Sequence, residues 1–261
     1  NTVIFLLVFF GIHLSSFAES VIIKHEAGVI DWSLRVIISD GIASTLENQN
    51  LAIGRLEAET QAIKLGRKKL LQLVKDVPVI QGKTIGKILK SKKSLQELQT
   101  MIDKTLPSQT QYLENRQVSV KYLLPLDGDL SKLVIQNLGK ILGDGKSLDS
   151  EGEQEYSGII IDASGFEKFQ PSLFPKIFGG KKKEIISPKM IDPKVLITRG
   201  MVKYYSSLDE AKKSGFFGLS HMVLNAVKGN SKISTDLFVH QEHAKLLEES
   251  GDNLVFEGKI A

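Results

Sequence analysis

The chain has 261 residues, of which 42% are hydrophobic and 25% charged, with a net charge of +4 and no cysteine. Those proportions belong to a globular protein, and the missing cysteine excludes a disulfide-stapled fold and a catalytic thiol and argues against a lipid-anchored cysteine. The positive balance is mild. Its lysine clusters, at Lys87, Lys90, Lys92 and Lys93 and at Lys181, Lys182 and Lys183, abut Gly or Ser without interleaved aromatics, so they read as solvated loops rather than a nucleic-acid surface.

The first residues carry an unbroken apolar run, Val3 to Phe10, then a weaker stretch to Phe17, with Ser16 and Ala18 at the positions a signal peptidase reads. This predicts a cleavable secretory signal over 1–18. The apolar core is shorter than the roughly 20 residues that span a bilayer, so a retained anchor is the less favoured reading.

From Ile30, Ile-Asp-Trp-Ser-Leu-Arg-Val-Ile-Ile-Ser-Asp-Gly reads as a strand closed by an Asp40-Gly41 turn, with Trp32 packed at one end of the core. Asn48 to Asn50 supplies an amide cap, and a helix runs over 51–77 to its stop at Pro78. Its apolar face is read as Leu56, Ile63, Gly66, Leu70, Leu73 and Val77. Gly66 on that face costs about 1 kcal/mol against Ala, which predicts a close neighbour. Thr84 to Leu89 and Ser94 to Thr105 read as shorter helices, the second capped by Ser94 with Glu97 following. The period then changes: Gln109 to Leu113 and Val118 to Leu124 form a hairpin, and a helix follows from Leu130 to Leu142. Residues 19–142 therefore form one α+β module.

The polar, glycine-bearing stretch 143–155 reads as a linker. Three isoleucines between glycines, Ile159 to Ile161, then open a second module over 156–261 as a strand buried on both faces. Leu173 to Phe178 and Glu184 to Ile186 read as strands joined by a hairpin at Gly179 to Lys183. Val195 to Ile197 and Thr198 to Val202 follow Pro193 as further short segments. Ser207 caps a short helix with Glu210 three residues on. Met222 to Val227 pairs with Ser234 to Val239, Gln241 to Glu249 is helical, and alternation over Leu254 to Ile260 predicts a closing strand. The whole reads as α+β: two modules, each a small, mainly antiparallel sheet packed with helices.

Several residues are weighed as sites. Asp162, in Asp-Ala-Ser-Gly at a strand end, has the placement of a nucleophile or Mg ligand, although an Asx-type turn is the ordinary use of that cluster. His240 and His243, with His221, have a spacing compatible with a metal, but no His-Glu-x-x-His pattern is present, so surface histidines are the favoured reading. No nucleophile elbow or phosphate-binding glycine loop occurs, and Gly179-Gly180-Lys181 is a hairpin. The expectation is no catalytic, cofactor or metal residue. Tyr204 and Tyr205 beside Lys203, and Phe216, Phe217 and Leu219 in an apolar run between glycines with no evident helix or strand to bury it, are the candidate partner contacts, with core packing the ordinary alternative.

Ile-Asp-Trp-Ser before a strand reaching Gly41, an Ala- and Arg-bearing helix, a strand pair and Leu-Pro-Leu-Asp-Gly-Asp-Leu at 124–130 resemble a family: the domain shared by small outer-membrane lipoproteins and the N-terminal part of flagellar assembly protein T. Tyr156 to Gly165, with Pro171, Pro175, Lys176 and Ile177, is similar to a second β-rich domain that follows it in envelope proteins. The resemblance implies a non-enzymatic structural or assembly protein of the bacterial cell envelope, periplasmic or outer-membrane associated, partnering itself as a homo-oligomer or other envelope or flagellar motor proteins, as in a motor ring or disk. Membrane association is then indirect. The alternative is a periplasmic ligand-binding or hydrolytic protein using the Asp162 loop.

Overall fold

A computed structural model describes residues 20–45, 50–114, 116–139, 155–166, 168–180, 183–227, 234–250 and 252–261. The expected signal segment and nearly all of the expected linker lie outside the described residues, as do the end of the helix expected to reach Leu142 and the turn after Val227.

The first sheet is antiparallel throughout. In spatial order it runs β1 (Ile22–His25), β2 (Gly28–Asp31), β3 (Val36–Ser44), β7 (Gln117–Pro125) and β6 (Gln109–Tyr112). Residues alternate between its faces, as a pleated strand requires. Ile30, Ile37 and Leu124 stand in one cross-strand row facing inward, and Val29, Ile38 and Leu123 in the next row facing out. Helix α1 (Leu51–Asp76) lies across the inner face, capped by Asn50, whose side chain accepts from Ala52 N at 2.9 Å.

The seam between helix and sheet is made of small residues. Gly54, Ala58, Ala62 and Gly66 recur every four positions on the buried face of α1, whereas Leu56, expected there, is 67% exposed. Gly41 is no turn. It lies inside β3, paired with Val120, and a Cβ on it would fall 1.9 Å from the Ala62 carbonyl oxygen. Gly66 has the close neighbour expected of it, because a Cβ there would stand 2.7 Å from the Tyr122 ring. Backbone meets backbone along this seam, and Ser39 Oγ donates to the Gly66 carbonyl at 3.1 Å.

A two-stranded ribbon, β4 (Pro78–Ile80) with β5 (Lys83–Thr84), follows α1, then α2 (Ile85–Ile88), α3 (Lys92–Lys104) and α4 (Asp129–Asn137). Pro78 does stop α1, but it also starts β4. The cap of α3 is Ser91, which accepts from Ser94 N at 3.0 Å; Ser94 is already inside the helix.

The second sheet is mixed, in the order β10 (Glu184–Ile186), β9 (Ile177–Phe178), β12 (Leu237–Val239), β11 (His221–Val227), β8 (Gly158–Asp162). Parallel pairs join β8 to β11 and β9 to β12, and antiparallel pairs join β11 to β12 and β9 to β10. The outer edge of β8 is closed by the end of the described chain: Ile159 N donates to the Lys259 carbonyl and Ile161 N to the Ala261 carbonyl. The isoleucine strand is thus flanked on both sides.

Helices α5 (Pro193–Thr198), α6 (Leu208–Lys213), α7 (Gln241–Ser250) and α8 (Asp252–Phe256) complete the module. Three stretches differ from expectation. Residues 193–198 are helical because Asp192 caps Lys194 N and Pro193 sits at the first helical position. Residues 252–256 form a helix, and only Ile260 bridges the sheet. The expected Leu173 to Phe178 strand is split: Leu173 N and Phe174 N donate to the Pro78 and Val79 carbonyls in the first module, leaving Ile177–Phe178 to the second sheet.

Both modules feed one continuous apolar core, with Trp32, Val79, Leu173 and Phe174 among its fully buried members. The α+β class with small sheets and packed helices holds for both, but the expected mainly antiparallel pairing holds only for the first sheet, because β8 and β11, and β9 and β12, run parallel in the second. No described helix is long and apolar enough to cross a membrane.

Candidate functional site

The two short sequences that carried the resemblance meet at the module junction. The Arg35 guanidinium is buried against Asp127, with Nε to Oδ1 at 2.9 Å and an ion pair at 2.8 Å, and Nη1 donates to the Val202 carbonyl at 3.2 Å. Asp127 belongs to Leu-Pro-Leu-Asp-Gly-Asp-Leu and Arg35 follows Ile-Asp-Trp-Ser. Their neighbours repeat the pattern. Gly128, in the left-handed region at φ 74°, donates its N–H to the Ile197 carbonyl at 2.6 Å, and Ser33 Oγ donates to the Tyr204 carbonyl at 2.8 Å. Trp32 meets Tyr204 edge to face, with ring centroids 5.6 Å apart. What reads in sequence as turns and core positions is a clamp on the second module.

Tyr204, expected as a partner contact, is therefore committed inside the molecule. Its enclosed hydroxyl donates to the Ser172 carbonyl at 2.8 Å and accepts from Ser172 N at 3.0 Å. Burial pushes its pKa up to about 12.

A cavity of about 260 Å³ opens beside this clamp. Its walls are largely apolar, with Ile160, Phe169, Pro175, Tyr205, Leu208 and Leu237 among them, and Asp162 at its rim. Asp162 Oδ1 accepts from Ser164 N at 2.9 Å, the Asx-type turn that is the ordinary reading of this cluster. No second Asp or Glu side chain lines the cavity among the described residues.

The Phe216 to Leu219 turn divides its residues sharply. Phe217 is fully buried, because Gly158 at the start of β8 leaves room for it: a Cβ on Gly158 would stand 2.5 Å from that of Phe217. A strand does bury this aromatic, which is the core packing weighed as the ordinary alternative to a partner contact. Tyr205 packs edge to face on Phe217 at 6.0 Å. Phe216 is half-buried, and Leu219 is 99% exposed.

Residues that single-sequence reading passed over surround Phe216. Lys203 Nζ lies 3.8 Å from the ring centroid, Arg199 Cζ 5.5 Å and Lys259 Nζ 5.8 Å. Their one sequence signal is a glycine beside two of them, Gly200 after Arg199 and Gly258 before Lys259, which tightens two turns at φ 76° and φ 63°.

The histidines do not gather. His240 and His243 stand 6.3 Å apart edge-on, His243 Nδ1 accepts from Asn225 N at 3.2 Å, and His221 Nε2 is spent 2.9 Å from the Gly218 carbonyl oxygen. Among the described residues no group of three or more His, Cys, Asp or Glu is placed to hold a metal. Of the lysine clusters, Lys87 bonds the Gly82 carbonyl and Lys93 faces Glu97 at the solvated surface, while Lys181 and Lys182 lie outside the described residues.

Residues 158–261 match the family model described as Treponema pallidum Tp0624, second domain. The second module is similar to that bacterial domain. The match begins where β8 begins, so it covers the mixed sheet and its helices and leaves out the first module. No curated protein matches the chain.

Proposed function

We propose that this protein is a non-enzymatic assembly component of a bacterial cell envelope, exported and then joined to a second copy of itself or to an envelope partner, with a flagellar motor ring as one setting. The observation that carries the reading is the outer face of the first sheet. α1 covers only the inner face. On the other face Val29, Val36 and Ile38 stand half-buried in neighbouring rows, with Leu123 43% exposed beside Ile38. Lys24 flanks this row, and the cross-strand pair Asp40 and Lys121 separates it from Ile42, 45% exposed one row further on, so both signs of charge lie within the face. A surface of that kind can meet its own copy across a two-fold axis. The bacterial match of the second module and the rigid clamp between modules support the same reading, since a building block gains from fixed geometry.

The test is to isolate the native protein from fractionated cells and size the complex it occupies. Recovery in an envelope fraction, in a particle larger than one chain, is the expected result. A monomer found only in the cytosol overturns the proposal.

A second reading has one observation in its favour, the apolar cavity beside Asp162. At about 260 Å³ it would take a small apolar ligand or a single side chain, near the lower end of ligand pockets. Saturable uptake of an environment-sensitive apolar dye, blocked by a bulky residue at Ala211 in the cavity wall, would favour this reading over assembly.

A further inference from the structure

Three cations around one ring need an explanation, because like charges repel at this range and partial burial makes each costlier. Arg199, Lys203 and Lys259 all point at Phe216 from half-buried positions. Among the described residues none of the three has a carboxylate within ion-pair distance, while the nearby Arg35 is answered by Asp127. Burial first, then the charges of Arg199 and Arg35, hold the Lys203 ammonium below the usual lysine range, and Asp127 only partly opposes them. Arg199 donates from one Nη to the Glu257 carbonyl, yet its Nε is buried with no partner. An aromatic face attracts a cation by roughly 0.5–2 kcal/mol, but it carries no net charge and cannot neutralise three of them.

Why the side chains are held there follows from the backbone. Gly200, Gly218 and Gly258 each adopt positive φ, and their turns bring together residues that are distant in the chain. Gly200 packs under the Arg35 guanidinium, so its turn is fixed at the module junction, and Gly258 packs against Val195 within the second module. The side chains are thus preorganised, and the repulsion between Arg199 and Lys203 is already present in the fold.

We propose that Arg199, Lys203 and Lys259 form a binding site for a phosphoryl oxyanion, either free phosphate or the phosphate of a lipid headgroup. A guanidinium presents a planar fork of donors and two ammonium groups add point charges, a combination suited to the several oxygens of a phosphate. Phe216 is the ring that all three approach.

The test uses the full chain. Inorganic phosphate is titrated and followed by calorimetry and backbone NMR, and in parallel the protein is sedimented with vesicles of phosphatidylcholine alone or with added phosphatidic acid. Saturable phosphate binding, with shifts centred on residues 199–203, 216 and 259, is expected for a free-phosphate site. Sedimentation with the acidic vesicles alone, without phosphate binding, would assign the headgroup. In either arm the Lys203→Gln, Lys259→Gln double variant should weaken binding about tenfold or more, the scale of charge-assisted hydrogen bonds. Lys203→Arg should retain it, and Lys87→Gln should have no effect. The proposal is overturned if the wild-type chain binds neither probe, or if the double variant binds as well as wild type.

Discussion

The two sheets have five strands each and reach their order by opposite means. In the first, β3 and β7 run nine residues side by side, every pairing is antiparallel, and a single long helix is pressed on so closely that glycines replace side chains at the contact. In the second, strands are two to seven residues long and two of the pairings are parallel. Its side chains are held in place by glycine turns and by the clamp from the first module. The difference separates two kinds of surface: a sheet face that α1 leaves uncovered, proposed above for association, and a set of loop side chains around Phe216, proposed above for a small anionic group.

The sharpest way to break this comparison is to put a side chain into each glycine seam. Gly41→Val sets its Cβ against the Ala62 carbonyl of α1, backbone that cannot yield without moving the helix. A loss of about 3 kcal/mol or more in denaturant unfolding is expected. Gly158→Ala in the second sheet meets the Cβ and Cα of Phe217, so a short turn and not a long helix must move, and about 1–2 kcal/mol is expected. Equal losses would mean that the two sheets are equally rigid.

Next in size is the clamp. Arg35→Met leaves Asp127 without its partner in a half-enclosed site and removes the bond to the Val202 carbonyl, which should cost about 3 kcal/mol. Unfolding should then separate into two transitions, reported by Trp32 fluorescence and by far-ultraviolet dichroism. A single unshifted transition would show that Arg35 does not couple the modules.

Tyr204→Phe removes both bonds to Ser172 and should cost about 1–2 kcal/mol at neutral pH. It also has a pH signature. In the folded state the phenol titrates at about 12, above its ordinary value near 10, so the folded protein keeps the proton longer than the unfolded chain. Stability from this group is therefore full below pH ~10 and declines as pH rises towards 12. The wild type should lose stability over that interval more steeply than the Phe variant, and parallel curves would contradict the assignment.

Asp162→Ala is the mildest stability test. It should cost only about 0.5–1 kcal/mol, the scale of one turn hydrogen bond, which thermal unfolding can resolve.

What the sequence disclosed follows the same division. The long helix, its Asn50 cap, the hairpin of β6 and β7 and the Ser207 cap are written locally, in periodicity and in residues that bond their neighbours. The buried face of α1 is legible in its second half, at Gly66, Leu70, Leu73 and Val77, and not in its first, where Gly54, Ala58 and Ala62 are small: there close approach, and not hydrophobicity, selects the face. Asp40-Gly41 looks like a turn for the same reason, since the need for glycine arises from Ala62 on another element. In the second module, alternation over Leu254 to Ile260 imitates a strand, while the Asp192-Pro193 helix start lies in a segment too short for periodicity to arbitrate. The site residues were harder still. Asp162 was visible together with its turn, but Arg199, Lys203 and Lys259 are separated in the chain and share no motif; only the fold brings them to one ring.

The open face of the first sheet carries the central claim, and sedimentation velocity on residues 19–261 across a wide concentration range tests it most directly. The account predicts self-association in the wild type and a monomer for the Ile42→Lys, Leu123→Lys pair, with an unfolding midpoint that barely moves because both positions are exposed. A wild type that stays monomeric at every concentration, or a lysine pair that associates as strongly as wild type, would contradict it.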